Sequence, residues 1–167
     1  MGSKKRKPLI RRLINILLAV IVMTVGYYLF LIGNDLRVRF INRSEISDIS
    51  ELNEDYANRF EQFIEDIERN TGWKVLIISG LRTKEEQIQL KRDNSKNASY
   101  KKSRHVQGRA VDINLYKRNG LFNIWLKKGS SNAEWQKTGI PAIANRHGLL
   151  WGGSYHNYHD PVHFEIN

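Results

Sequence analysis

The chain has 167 residues, the length of one ordinary domain, and can build a hydrophobic core without covalent cross-links. It contains no cysteine, which excludes disulfides and cysteine-ligated zinc, so any metal must be held by nitrogen and oxygen ligands. Six of its 27 cations lie in the first twelve residues; the other 21, against 17 acids, leave the rest of the chain with a net charge of only +4. A nucleic-acid-binding protein should concentrate its basic residues on the folded domain, so this distribution argues against that class.

An uncharged, apolar stretch follows the basic tail of residues 1–12. It runs from Leu13 to Gly33, and its 21 residues are enough to cross a bilayer as a helix. Cations are more numerous before the stretch than after it, which predicts a cytoplasmic N-terminus. The stretch exceeds the 7–15 apolar residues of a signal peptide and no A-x-A-like cleavage site follows. We therefore expect an uncleaved, single-pass anchor in the cytoplasmic membrane.

Residues 34–45 are predicted to form a polar stalk, and residues 46–167 a folded domain in the periplasm or outside the cell. The domain begins with apolar residues at three- and four-residue steps from Ile46 to Glu68, a pattern that predicts an amphipathic helix ending near Gly72. A buried strand is expected at Trp73–Ile78. Thr83 and Glu86 form a capping box for a second helix that runs to about Arg92.

The second half of the domain mixes short strands with helical segments. Residues 93–104 are polar and predict a loop. A helical segment, Asn132–His147, contains Pro141, which predicts a break or a new helix start there. The remaining elements are a strand at Ala110–Leu115, a turn at Lys117–Gly120, and strands at Leu149–Trp151 and Val162–Ile166. Because helices and strands alternate without regular βαβ units, we predict an α+β domain with a small antiparallel sheet flanked by helices.

Three residues carry the pattern of a hydrolytic metal site. A glycine turn separates His105 from Asp112, and His163 lies on the last predicted strand. Two histidines and one carboxylate that leave a fourth position for water are the usual ligands of catalytic zinc. Zinc lowers the pKa of that water, and a further carboxylate must then take its proton, a role for which Asp160 is the natural candidate.

Spacing alone leaves other interpretations open. A lone histidine is more often a surface or core residue than a ligand, and the chain has five. Asp112 would also fit as a turn cap, and Arg82 as a partner of Glu85 or Glu86 on a helix surface. No helical H-E-x-x-H motif is present.

Three ordered motifs over roughly residues 50–167 resemble the zinc D-Ala-D-Ala carboxypeptidase family, which includes phage L-alanyl-D-glutamate endopeptidases and vancomycin-resistance dipeptidases. The family patterns are G-x-R-T with a following E-Q, then S-x-H-x-x-G-x-A-x-D, then W-G-G followed by D-x-x-H-F-E. The matching residues are Gly80, Arg82, Thr83, Glu86 and Gln87; Ser103, His105, Gly108, Ala110 and Asp112; and Trp151, Gly152, Gly153, Asp160, His163, Phe164 and Glu165.

The resemblance implies a role for each of these positions, on a hedgehog-like zinc peptidase fold. His105, Asp112 and His163 would be the Zn²⁺ ligands. Asp160 would be the catalytic base, and Arg82 would hold the scissile carbonyl and the oxyanion that forms from it.

The resemblance assigns lesser roles to other residues of the motifs. Ser103 and Gln87 would bind substrate. Glu165 is expected beside the site rather than as the base, since strand alternation puts it on the same face as His163. Trp151 would shape the cleft wall.

The resemblance also implies the substrate, the stem peptides of peptidoglycan. An aspartate at the base position is more like the phage endopeptidases than the dipeptidases, which resemble E-x-x-H there. We therefore expect an L-Ala-D-Glu endopeptidase first and a D-Ala-D-Ala carboxypeptidase second, in wall remodelling or phage lysis. The alternatives are a non-catalytic wall-binding module with structural zinc and, disfavoured by the export topology, a metal-dependent nuclease.

Overall fold

The computed structural model describes residues 6–43, 49, 52, 54–156 and 158–167. The chain divides into two units, Met1–Ser44 and Glu45–Asn167.

In the described part of the first unit there is one helix, α1 (Arg6–Ile41). Its segment Pro8–Ile41 is long and apolar enough to cross a membrane, a test that a signal sequence also passes. The helix includes the predicted anchor, residues 13–33, and continues through residues 34–41 of the predicted stalk. The first five residues of the basic tail and the last two of the stalk lie outside the described residues.

The second unit begins with α2 (Glu54–Thr71). The amphipathic helix was predicted from Ile46, but residues 46–48 lie outside the described residues. Phe60, Phe63 and Ile67 recur at three- and four-residue steps and are fully buried, as the periodicity predicts. The helix ends where Gly72 adopts a φ of +68°, a left-handed conformation that favours glycine.

Five antiparallel strands form one sheet around a long central strand. They are β1 (Lys74–Ser79), β2 (Ala110–Asn119), β3 (Phe122–Leu126), β4 (Leu150–Trp151) and β5 (His163–Glu165). The order is β1-β2-β5-β4, and β3 pairs with the second half of β2. β2 therefore has β1 on one edge and both β5 and β3 on the other.

The turn predicted at Lys117–Gly120 was placed too early, and β3 was not predicted. β2 continues to Asn119, and a two-residue turn at Gly120 and Leu121 leads into β3. Gly120 has a φ of +61°, which fits the first central position of a type II′ hairpin turn. The charged residues after Leu115 suggested a turn, but Lys117 stays in the strand and donates through Nζ to the carbonyl oxygen of Thr71 at 2.9 Å.

The remaining helices match the sequence predictions closely. α3 (Lys84–Asp93) begins at the capping box of Thr83 and Glu86. The predicted break near Pro141 separates α4 (Asn132–Lys137) from α5 (Ile140–Arg146), with Gly139 at a φ of +75° between them. Side chains from α2, α4 and α5 pack on one face of the sheet: Phe60, Phe63, Ile67, Trp135 and Ile140 with Val111 and Phe164. The unit is thus an α+β domain with a small antiparallel sheet, as predicted.

Candidate metal centre

Strand pairing places two of the three candidate ligands side by side. Asp112 of β2 lies opposite His163 of β5 in the antiparallel register, so their side chains project from the same face of the sheet. Asp112 Oδ1 is 2.8 Å from His163 Nδ1. His105 comes from the turn before β2, and its Nε2 lies 3.2 Å from each of these two atoms. The structure therefore brings His105, Asp112 and His163 together.

The outer nitrogen of each imidazole has its own acceptor, which fixes the tautomer. His105 Nδ1 lies 2.8 Å from the carbonyl oxygen of Gly80, and a carbonyl only accepts, so Nδ1 carries the hydrogen and the Nε2 lone pair faces the cluster. His163 Nε2 lies 3.1 Å from Glu165 Oε2, which likewise turns Nδ1 towards the cluster. Such outer partners orient metal-bound histidines in proteins.

The donor set fits zinc in chemistry and in spacing. Ligand atoms about 2.0–2.2 Å from a tetrahedral zinc ion lie roughly 3.3–3.6 Å apart, so the atoms of this cluster would move slightly outward around the ion. The three separations in this cluster are 2.8, 3.2 and 3.2 Å. With two imidazole nitrogens and one carboxylate oxygen converging at the cavity, His105, Asp112 and His163 would hold the ion.

The cluster favours a positive charge at its centre. Burial acts to raise the pKa of Asp112, but its close contacts with the His105 and His163 imidazoles outweigh it and hold this pKa well below its usual range. Burial acts to lower the pKa of His163, but the bonds to Asp112 and Glu165 raise it to about 9. The buried Asp112 carboxylate therefore stays ionised, and its negative charge would stabilise a cation bound beside it.

Glu165 belongs to a chain of contacts that the sequence only partly indicated. The hydrogen bond from His163 lowers the pKa of Glu165, and a second hydrogen bond comes from Tyr155. Burial and the Glu165 carboxylate together raise the pKa of Tyr155, so its hydroxyl remains a donor. Tyr155 was missed because nothing in S-Y-H-N-Y-H distinguishes it from Tyr158.

Asp160 lines a cavity of about 410 Å³ that also opens on the ligand cluster. Its Oδ1 is buried and has no hydrogen-bond partner among the described residues; the ammonium of Lys128 lies 3.5 Å away. Burial and the negative charge of Asp112 raise the pKa of Asp160, and Lys128 partly offsets this. A buried carboxylate oxygen that faces the Lys128 ammonium at 3.5 Å without a hydrogen bond is suited to accept a proton from water.

Three oxygens hold the guanidinium of Arg82 at the same cavity. Its Nη2 donates to Ser79 Oγ at 2.7 Å and lies 3.6 Å from Asp112 Oδ2. Its Nη1 donates to Gln87 Oε1 at 2.8 Å. The fixed, charged fork suits the stabilisation of a developing oxyanion.

Gln87 and Ser103 line the cavity but are largely occupied by contacts within the protein. Both are buried, and Ser103 Oγ donates to Gln87 Oε1 at 3.1 Å. Gln87 Nε2 donates to the carbonyl oxygen of Ala98 at 2.8 Å. The contacts assign Gln87 to the positioning of Arg82, and substrate binding by either residue stays a prediction.

Trp151, which was expected to shape the cleft wall, is buried and is not among the described residues that line the cavity. Its buried indole Nε1 donates to the carbonyl oxygen of Pro161 at 2.8 Å. The bond ties β4 to the turn between Asp160 and His163. The other histidines lie outside the cluster: His156 and His159 are exposed, and His147 Nε2 contacts Asp66 Oδ2 at 3.0 Å.

Comparison with known proteins agrees with this site. Residues 96–166 match a family described as D-alanyl-D-alanine carboxypeptidase, a segment that contains all three candidate ligands and Asp160 but not Arg82. The family resemblance inferred from the motifs is confirmed over residues 96–166, which hold the second and third motifs.

A solved structure shares the fold. The crystal structure of the L-Ala D-Glu endopeptidase ChiX from Serratia marcescens aligns with a TM-score of 0.52 and 20% identity. The alignment covers 71% of this chain and 83% of that one. At this identity the likeness shows a common fold.

Proposed function

We propose, from the family resemblance of residues 96–166, that the protein is a membrane-anchored zinc peptidase that hydrolyses a bond in the stem peptide of peptidoglycan. The observation that carries the proposal is the convergence of His105, Asp112 and His163 beside an ionisable Asp160 that lacks a hydrogen-bond partner among the described residues. A structural metal site needs neither a base nor an open position.

The candidate ligands, Asp160, Arg82 and Glu165 each have a task in this reaction. Zinc held by the three ligands would polarise the scissile carbonyl and activate a water molecule. Asp160 takes the proton of that water and passes it to the leaving amine. Arg82, held by Ser79 and Gln87, stabilises the oxyanion of the tetrahedral intermediate. Glu165 keeps His163 in the tautomer that presents Nδ1.

The scissile bond proposed first is L-Ala-D-Glu, and D-Ala-D-Ala is second. The aspartate at position 160 resembles the endopeptidase branch of the family, and the fold is shared with an L-Ala D-Glu endopeptidase. α1 would anchor the enzyme in the cytoplasmic membrane with the N-terminus inside, since its apolar segment suffices to cross a bilayer and the cations precede it. Wall remodelling and phage lysis both fit an anchored enzyme.

Digestion of purified peptidoglycan tests the proposal. The full chain in detergent should release new muropeptides, and a chelator should stop their release. New N-terminal D-Glu identifies the endopeptidase, and loss of terminal D-Ala identifies the carboxypeptidase. Asp160→Ala should lower turnover by about 10²–10⁴-fold while zinc stays bound; Asp93→Ala, at the end of α3, serves as the control.

The alternative of a wall-binding module makes a different prediction. Tight zinc binding without any muropeptide turnover would support that alternative and contradict the peptidase. Full activity of Asp160→Ala would instead keep the peptidase and remove Asp160 from the mechanism.

A further inference from the structure

A lysine outside the three motifs reaches the cavity from the turn between β3 and α4. The backbone N–H of Ser130 donates to the carbonyl oxygen of Lys127 at 2.9 Å, and the N–H of Lys127 donates to Ser130 Oγ at 3.2 Å, so the turn is closed on both sides. His159 Nε2 donates to the carbonyl oxygen of Ser130 at 3.2 Å. This last bond joins the turn to the segment that carries Asp160 and holds Lys128 at the cavity wall.

The ammonium of Lys128 faces Asp160 but is not enclosed by it. Its Nζ is 3.5 Å from Asp160 Oδ1 and 5.8 Å from the ring centre of Tyr158. The Lys128 side chain is 61% exposed, whereas that of Asp160 is 15% exposed. An ammonium has three N–H donors, and only one side of it faces Asp160, so a substrate carboxylate can approach it from the solvent side.

The charges around the cavity favour an anionic ligand. Five cations line it against three carboxylates: Arg82, Lys96, Lys102, Arg104 and Lys128 against Asp112, Asp160 and Glu165. An excess of one sign in a cleft raises the local concentration of ligands of the opposite sign. A substrate with a free carboxylate is therefore favoured over a neutral one.

Lys128 is the cation best placed to contact a carboxylate next to the reacting bond. Arg82 already has three oxygen partners: Ser79, Gln87 and Asp112. Arg104 Nη1 donates to Gln107 Oε1 at 3.2 Å. Lys128 instead lies beside the candidate base, which the reaction requires to be available to water.

We propose that Lys128 is a specificity-determining residue that binds a free carboxylate of the substrate adjacent to the cleaved peptide bond, and that this contact replaces its pairing with Asp160. The inference rests on the proposed peptidase function. Two substrate groups share this chemistry: the α-carboxylate of a D-Glu linked through its side chain, and the C-terminal carboxylate of D-Ala. Either would draw the ammonium away from Asp160 as the substrate enters.

Matched acid and amide substrates test the proposal and distinguish the two sources. One pair is a stem peptide with D-Glu and its counterpart with D-isoglutamine; the other is a peptide ending in D-Ala-D-Ala and its C-terminal amide. The full chain in detergent should cleave the acid of one pair with a kcat/KM about fivefold above that of the amide, the size expected of one partly exposed ion pair. In Lys128→Met this ratio should fall to about one through a rise in KM for the acid, and Lys128→Arg should restore part of it.

Lys127→Met is the matched control, because Lys127 belongs to the same turn but lies over the Trp125 ring at 4.8 Å. It should leave the acid-to-amide ratio unchanged. An unchanged ratio in Lys128→Met overturns the proposal. An equal loss on acid and amide also overturns it, because Lys128 would then act only through Asp160.

A binding measurement keeps the proposal testable even if no bond is cleaved. Analogues of the same four peptides, with the scissile amide reduced to a methylene-amine, are titrated into the wild-type chain and Lys128→Met by calorimetry. Tighter binding of an acid than of its amide, lost in Lys128→Met, supports the carboxylate contact whatever the turnover. Equal binding of acid and amide by the wild type contradicts it, whereas absence of turnover contradicts only the peptidase function.

Discussion

Gly152 lies so close to Asp160 that a Cβ atom on the glycine would stand 2.4 Å from the Asp160 carbonyl oxygen. The same atom would be 3.0 Å from Cβ of His163. The backbone that carries the candidate base and the last ligand therefore rests directly on a residue without a side chain. This contact and the hydrogen bond from Trp151 to Pro161 explain the W-G-G motif. Both hold the turn that ends in His163 against β4 and the residue after it.

Gly152→Ala should displace that turn. A new Cβ cannot be accommodated without a backbone shift, so we expect the free energy of unfolding to fall by about 1–3 kcal/mol, together with lower zinc affinity and activity. Gly129→Ala is the control, because nothing lies within 4 Å of its Cβ position. Urea unfolding and zinc titration of both variants measure the effects. Equal stability and equal zinc affinity of the two variants would contradict the packing role.

Glu165→Gln should weaken metal binding without removing a ligand. The change removes the negative charge that holds the Nε2–H of His163, and loss of such an outer partner lowers metal affinity by about 10–100-fold. Tyr155→Phe should cause a smaller loss in the same direction, because it removes only the hydrogen bond to Glu165. Competition with a chromophoric chelator gives the zinc Kd of each variant. Glu85→Gln, at an exposed position of α3, is the control and should bind zinc with the wild-type Kd. An unchanged Kd in Glu165→Gln would refute the orienting role.

Arg82→Lys should lower kcat rather than raise KM. A lysine ammonium lacks the planar fork that contacts Ser79, Gln87 and Asp112 together, so the charge would no longer be fixed where the oxyanion forms. Loss of one oxyanion donor costs about 10²–10³-fold in kcat. Steady-state kinetics on a purified muropeptide, with Arg92→Lys as control, measure this. A raised KM with unchanged kcat would show instead that Arg82 binds the ground state.

The capping box before α3 should make stability depend on pH in acid. Hydrogen bonds from the backbone and side chain of Thr83 lower the pKa of Glu86 below its ordinary value of 4.5. Because the folded-state pKa is the lower one, this stabilisation is fully present above about pH 4.5 and is lost as the pH falls through the folded-state pKa. The difference in unfolding free energy between wild type and Glu86→Gln should therefore be largest above pH 5 and shrink below it.

Urea unfolding at a series of pH values measures this difference. Glu134→Gln offers an independent repeat, since Glu134 forms the same capping box with Ser131 and its pKa is lowered in the same way. A difference that stays constant across the acid range would contradict the role of the carboxylate.

The local signals in the sequence predicted most elements of the fold. The capping box located the start of α3, and Pro141 located the break between α4 and α5, because both depend on neighbouring residues alone. β3 was not predicted because its turn contains only Gly120 and Leu121. Phe122 and Ile124 are exposed in the structure, so β3 does not present a clear buried face. Its existence depends on pairing with β2, which the local sequence does not encode.

The candidate site likewise combines residues that the sequence predicted with contacts that only the fold shows. The motif resemblance predicted the residues that form the cluster, whereas spacing alone left them open, since the register that places Asp112 opposite His163 joins residues 51 positions apart. The contact between Arg82 and Gln87 could not be predicted either. Gln87 was expected to bind substrate, and only the fold brings its Oε1 to the Arg82 guanidinium. Lys128 and Tyr155 lie in no motif and reach the cavity through turns whose course is set by tertiary contacts.

The pairing of β2 with β5 has a consequence for the order of events in folding. The last of the three ligands enters the cluster only when His163 docks against Asp112, and closing so long a loop is entropically costly and slow. Before that step the chain holds only His105 and Asp112, too few ligands to retain a zinc ion. Metal capture would thus report the completed sheet, and a chain in which β5 has not yet paired with β2 would not retain zinc.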